Sequence, residues 1–249
     1  MNLDQFFKEF SVDESETMPE AFAYNASILD AITRASGQSF YVIDFHKRNF
    51  AYVSSNPLFL CGRSSEEVRA KGYSFYEEVM PEEDLEMLLE ISRKGFEMFY
   101  SLPKESRLNF IISYDFRLIQ PNRQRLMINQ KVTPILLSGS DEMWLALCTV
   151  NLSSSEKPGN VFIRMNGSLL HFRYSFAGKH WYDEEIVTLS EREKQVLQLS
   201  AQGYTNEEIA DKIFIDMNTV KFHKRRLFEK FNVANITEAI IFANNHWLL

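Results

Sequence analysis

Three helix-start signals crowd between Ser190 and Glu238, and no other part of the chain limits its folding so tightly. Ser190 is followed by Glu193, Thr205 by Glu208 and Asn235 by Glu238. At this spacing the first side chain and the later carboxylate satisfy each other's orphan backbone N–H groups. Asp216, just before Met217, supplies a fourth N-cap without a returning glutamate. Gly203 and Asn232 stand where the first and third helices must end, and both tolerate the left-handed backbone of a C-terminal cap. The signals predict helices over 191–202, 206–213, 217–231 and 235–246.

Unrolling 217–231 at about 100° per residue separates two faces. Val220, Leu227 and Phe231 form an apolar seam, while Asn218, Lys221, Phe222 and Arg225 lie opposite, flanked by Arg226 and Lys230. Lys224 falls on the packing side and must run its charge out to the edge. Glu229 is the only acid on this helix. The preceding helix is joined to it by Phe214, Ile215 and Asp216 alone, the tight connection of a helix-turn-helix. Ala210 is small where the two helices must cross, and Glu207, Glu208 and Asp211 keep the acidic load off the basic face. A compact helical module with a projecting basic helix suits a nucleic-acid groove.

The segment resembles the four-helix DNA-binding domain of LuxR/NarL-type (GerE-like) bacterial transcription regulators. The resemblance rests on Leu189, Ser190, Arg192, Glu193, Val196, Leu197, Gly203, Asn206, Glu208, Ile209, Ala210, Ile215, Thr219, Val220, Lys221, His223, Lys230, Val233, Glu238 and Ala239. It implies that helix 217–231 lies in the major groove of double-stranded DNA. Carried over by position, Lys221, Phe222 and Arg225 face base edges, with Asn218 on the same face. Asn206, Thr219, His223, Arg226 and Lys230 lie near the backbone or buttress the helix. Asp216 departs from the usual Ser or Thr and brings a negative charge near phosphates. Ile236 stands where Arg is common. Phe222 suits a thymine methyl, and Lys221 or Arg225 suits guanine O6 and N7.

Charge is divided unevenly. Residues 190–249 hold eight basic and eight acidic residues, so the whole net charge of −7 resides in the preceding 189. A neutral module must act through a local basic stripe, which favours binding as a homodimer on two half-sites.

The remaining sequence predicts a first domain of α+β class. A short helix and an acidic segment are expected over 1–18, then an amphipathic helix over 19–35 with Phe22, Leu29 and Ile32 on one face. Strands are expected over 39–44 and 49–54, and a long helix over 81–102 with Leu85, Leu88, Leu89, Phe96 and Phe99 facing the core. Leu108, Phe110, Ile112, Tyr114, Phe116 and Leu118 occupy alternate positions, the period of a strand. Two further strands follow, over 124–136 and 143–152. The order β-β, helices, β-β-β resembles a PAS sensor domain, a five-stranded antiparallel sheet with helices on one face. Asn56-Pro57, Gly62, Ser65-Glu66-Glu67 and Pro81-Glu82-Glu83-Asp84 carry the likeness. Asn166-Gly167 between two apolar runs predicts an extra hairpin, either extending that sheet or forming a dimer contact. The domains are then 1–37, a helical extension; 38–153, PAS-like; 154–185, a linker with a β-hairpin; and 186–249, helix-turn-helix.

The PAS likeness implies a pocket for a small-molecule ligand. No histidine lies on helix 81–102, where PAS haem sensors carry their ligand, and His46 reads as a solvated turn residue. Gly72 is followed by Tyr73-Ser74-Phe75 rather than a flavin-reactive cysteine segment. No cofactor and no metal is assigned, and the phenylalanine-rich interior reads as packing. Cys61 and Cys148 read as buried free thiols of a reducing cytoplasm. The longest weakly charged apolar run, Val132–Ser140, falls well short of the roughly 18–20 residues that span a bilayer. The start lacks a signal-peptide layout. Successive strands argue against a phospho-receiver, which alternates strands and helices; Asp44 at a strand end is then incidental. The first domain has no Trp before Trp144, unlike lactone-binding sensors. No nucleophile elbow, P-loop, metal cluster or dinucleotide fingerprint points to an enzyme. The sequence is thus that of a cytoplasmic, DNA-binding transcription regulator. The alternative is an adaptor whose helical module binds protein instead.

Overall fold

The computed structural model describes residues 20–166 and 170–249. The expected helix over 1–18, the side chain of Phe22 and the turn at 167–169 lie outside the described residues. Two compact units are present. One is built from residues up to Glu184 apart from 152–156; the other is Glu185–Leu249 with 152–156.

In the first unit, α1 (Glu20–Ser36) precedes strands β1 (Ser39–Asp44) and β2 (Asn49–Val53). Short helices α2 (Pro57–Leu60), α3 (Ser65–Lys71) and α4 (Ser74–Val79) lead to the long α5 (Glu82–Ser101). Strands β3 (Phe110–Ile119), β4 (Arg125–Leu137) and β5 (Met143–Leu152) follow. The sheet runs β2-β1-β5-β4-β3, the PAS-like arrangement, and then continues through β6 (Gly159–Met165), β7 (Leu170–Ser175) and β8 (His180–Glu185). The five expected strands are therefore part of an eight-stranded sheet. The segment 154–185 is not merely a linker, because β6 pairs antiparallel with the otherwise open edge of β3, Ile112 opposite Ile163. An edge strand's free N–H and C=O groups are thereby satisfied.

Alternation places Phe110, Ile112, Tyr114, Phe116 and Leu118 in the core beneath the helices. Four local expectations are corrected. Leu108 is 53% exposed and sits in a 3-10 turn over Lys104–Asn109, so β3 begins at Phe110. On α5 the deeply buried face carries Ile91 and Gly95 with Leu85, Leu88 and Phe99, while Leu89 and Phe96 are only half-buried. Asp84 also belongs to that face: it accepts hydrogen bonds from the backbone N–H (2.7 Å) and Nε (3.0 Å) of Arg117. On α1, Ile32 is exposed; Leu29 and Thr33 face the sheet instead, with Tyr52 donating to Asp30 at 2.7 Å. His46 is half-buried and meets Trp144 edge-on at 5.8 Å, so it is not simply solvated. Cys61 and Cys148 are buried free thiols. Among the described residues, no helix is long and apolar enough to cross a membrane.

The second unit carries four helices among the described residues: α6 (Glu191–Ala201), α7 (Asn206–Ile213), α8 (Met217–Phe231) and α9 (Ile236–Asn245). Its core gathers Val196, Leu197, Ile209, Ala210, Val220, Leu227, Phe231, Ala239 and Ala243.

Candidate nucleic-acid interface

Caps fix where each helix of the second unit starts. Ser190 with Glu193 and Thr205 with Glu208 form complete capping boxes. The third is incomplete: Asn235 accepts from the Glu238 N–H at 3.0 Å, but the Glu238 carboxylate turns to the N–H of Ala234 at 2.7 Å. Asp216 caps α8 by accepting from the N–H of Asn218 at 2.7 Å. Asn232 closes α8 in the left-handed conformation, φ 54°. Between α7 and α8 the chain turns at Phe214, φ 56°, and the Ile215 N–H returns to the Ala210 carbonyl at 3.0 Å. Ile215 faces inward and Phe214 is left 92% exposed. The three-residue connector carries two apolar residues, of which only Ile215 has a core to enter.

The packed side of α8 is Val220, Leu227 and Phe231, all buried. On the outward side Asn218, Lys221, Phe222, Arg225 and Arg226 are exposed. Phe222 is 54% exposed, and the Arg226 guanidinium lies over its ring at 5.7 Å. Arg225 pairs along the helix with Glu229 at 3.0 Å, both well exposed, a bond that a phosphate or base edge can replace at little cost. Lys224 is half-buried, and burial pulls its ammonium pKa down.

The flanking residues divide into two kinds. Lys230 turns into its own domain: its Nζ lies 2.7 Å from the carboxylate of buried Glu193 and 3.3 Å from the Thr188 carbonyl. It therefore buttresses α8 against α6. Thr219 is half-buried in the first turn of α8, where its N–H donates to the Asp216 carbonyl. Asn206 and His223 are half-buried polar groups in want of partners. Asn206 Oδ1 and His223 Nδ1 have no hydrogen bond among the described residues, and the His223 ring sits edge-on to Phe222 at 5.6 Å. The arrangement thus leaves three exposed cations, an aromatic ring and the unmatched His223 Nδ1 along α8, held from behind, with Asn206 Oδ1 unmatched at the start of α7. Among the described residues no cluster could hold a metal ion.

Residues 187–243 match the family model described as bacterial regulatory proteins, luxR family. Among curated proteins, the chain is 46% identical over 82 residues to the HTH-type transcriptional regulator MalT of Vibrio campbellii, covering 30% of this chain and 9% of that protein. It is 38% identical over 79 residues to the CsgBAC operon transcriptional regulatory protein of Escherichia coli, 31% of this chain and 37% of that one. The chain thus spans between about a tenth and two fifths of these relatives' lengths. Among solved structures, that of Vibrio cholerae VqmA, described as a LuxR-type receptor, matches over 86% of this chain and 85% of its own, at 14% identity and a TM-score of 0.35.

Proposed function

We propose that this chain, whose residues 187–243 belong to the luxR family of bacterial regulatory proteins, is a sequence-specific DNA-binding transcription regulator. In this reading α8 enters the major groove of double-stranded DNA as one of a pair in a homodimer, and the PAS-like domain senses a small molecule or a protein partner. The observation that carries it is the outward face of α8. Lys221, Phe222, Arg225 and Arg226 are exposed together, while caps at Asp216 and Asn232 and the Lys230–Glu193 pair hold the helix rigid.

Lys221 and Arg225 supply donors for guanine O6 and N7, and Phe222 supplies an apolar surface for a thymine methyl. Arg226 faces outward to meet a phosphate, as do Asn206 through its Nδ2 donor and His223 where Nδ1 carries the proton. With Lys230 engaged internally, each module has few cations to offer, so affinity must come from pairing two modules on two half-sites. Selection of bound sequences from random DNA by the intact protein tests this. An inverted or direct repeat with helical-turn spacing supports it, and recovery of no common sequence refutes it.

A second reading, a protein-binding adaptor, draws on Phe214 and Phe222, which are 92% and 54% exposed and offer apolar contacts. It requires partner binding that resists salt, whereas phosphate contacts weaken by roughly tenfold or more between about 50 and 200 mM salt.

A further inference from the structure

One side chain on the outward face of α8 is out of keeping with its neighbours. Phe222 is 54% exposed and shares that face with the exposed cations Lys221, Arg225 and Arg226. It takes no part in the apolar core of the module. A phenyl ring left in water forgoes the free energy of burial. The ring is nevertheless held. Arg226, one helical turn on, lays its guanidinium over the ring at 5.7 Å, and the His223 imidazole meets it edge-on at 5.6 Å. Two contacts from the same helix restrict the ring, so less ordering is left to be done on binding. What stays open is an oriented hydrocarbon surface with no donor and no acceptor of its own.

Base edges in the major groove are almost wholly polar. Guanine presents N7 and O6, adenine N7 and its amino group, and cytosine its amino group; thymine alone adds an apolar group, the C5-methyl. A phenyl ring cannot tell O4 of thymine from N4 of cytosine by hydrogen bonding. It responds only to whether a methyl group covers it. Cytosine methylated at C5 carries that methyl on the same ring atom as thymine. The donors of Lys221 and Arg225 are left to read other positions.

We propose that Phe222 makes binding depend on the C5-methyl group of one pyrimidine in each half-site, and that 5-methylcytosine satisfies it in place of thymine. Methylation of a cytosine at C5 then turns a poor site into a better one, a switch written on the DNA rather than in the sensor domain. This dependence rests on the DNA-binding reading above, and adds to it the group that is read and a way in which the site is regulated.

Sites selected by the full-length wild-type protein are resynthesised with each thymine in turn replaced by deoxyuridine, which lacks only the methyl. At the sensitive position the pair is also exchanged for cytosine–guanine and for 5-methylcytosine–guanine. Affinities of the full-length wild-type, Phe222→Ala and Phe222→Leu proteins are measured by fluorescence anisotropy, with circular dichroism to show that each is folded. In the wild type, deoxyuridine is expected to weaken binding by about fourfold per half-site, the worth of one buried methyl group, and 5-methylcytosine to bind about fourfold more tightly than cytosine. Both preferences are expected to disappear in Phe222→Ala and to persist in Phe222→Leu, whose side chain remains apolar. The proposal is overturned if no position responds to the methyl group, or if thymine is preferred to deoxyuridine while 5-methylcytosine is not preferred to cytosine. It is equally overturned if the response survives in Phe222→Ala, which assigns it to DNA shape or to another side chain. Retention of no common sequence refutes the DNA-binding reading itself, and this dependence with it.

Discussion

Lys230 Nζ of α8 lies 2.7 Å from Oε2 of Glu193, a carboxylate only 2% exposed that also completes the cap of α6. One acid thereby fixes the start of the first helix of the module and the end of the third. Burial disfavours its charge, but Lys230 and the Ser190 N–H outweigh that cost, so the Glu193 pKa is held below its usual value. The unfolded carboxyl binds its proton more readily, so this contribution is complete above the ordinary glutamate range and is lost as pH falls through the lowered folded value. Glu193→Gln is expected to destabilise the module by about 1–3 kcal/mol and to flatten its acid response. Hydrogen exchange of α6 and α8 amides in the full chain against pH measures both; a variant whose protection matches wild type at neutral pH contradicts this role.

The α7–α8 turn carries a testable strain. Phe214 adopts φ 56° with its ring 92% exposed, so its side chain gains no packing in return for a left-handed backbone. Phe214→Gly should stabilise the helical module by about 1 kcal/mol, since glycine adopts this region without steric cost. Protection of α7 amides is the readout, and a loss of stability would show that the ring packs in solution.

Asp216 has two separable effects. Its side chain caps α8 through the Asn218 N–H, while its charge stands at the end of the helix proposed to meet phosphates. Asp216→Ser keeps an N-cap and removes the charge, so fold stability should hold and DNA affinity should rise several-fold. Asp216→Ala removes both and should cost about 1 kcal/mol of stability. Equal DNA affinity for the wild-type and Ser proteins contradicts the placement of this end near the backbone.

In the PAS-like domain, Asp84 is fully buried at the start of α5 and is held by Arg117 through backbone and side chain. Asp84→Ala leaves the Arg117 guanidinium without its main partner and is expected to cost about 3–5 kcal/mol. Urea unfolding followed by Trp144 and Trp181 fluorescence reports it; a cost near zero would mean that solvent replaces the pair.

How much of this was legible in the sequence depends on the range of the interaction. Caps act over three residues, so Ser190, Thr205, Asp216 and Asn232 place the helix ends nearly where the structure has them. The period of two similarly reveals β3, although Leu108 extends the pattern into a turn. Longer-range facts leave no local trace. The partner of Lys230 lies 37 residues earlier, so spacing alone could not separate a buttress from a phosphate contact. Strand β8 is mostly exposed and lacks alternation, so His180–Glu185 gave no strand signal. The need for Gly95 in α5 also arises only against Ile112 of a later strand.

In the proposed function the exposed face of α8 reads DNA. Its most direct test is the affinity of the full-length Lys221→Ala/Arg225→Ala protein for a site selected by the wild type, measured by fluorescence anisotropy across a salt series. Loss of specific binding and a shallower salt slope are expected, with the circular dichroism of the fold unchanged. Wild-type affinity and slope in the double variant would contradict it.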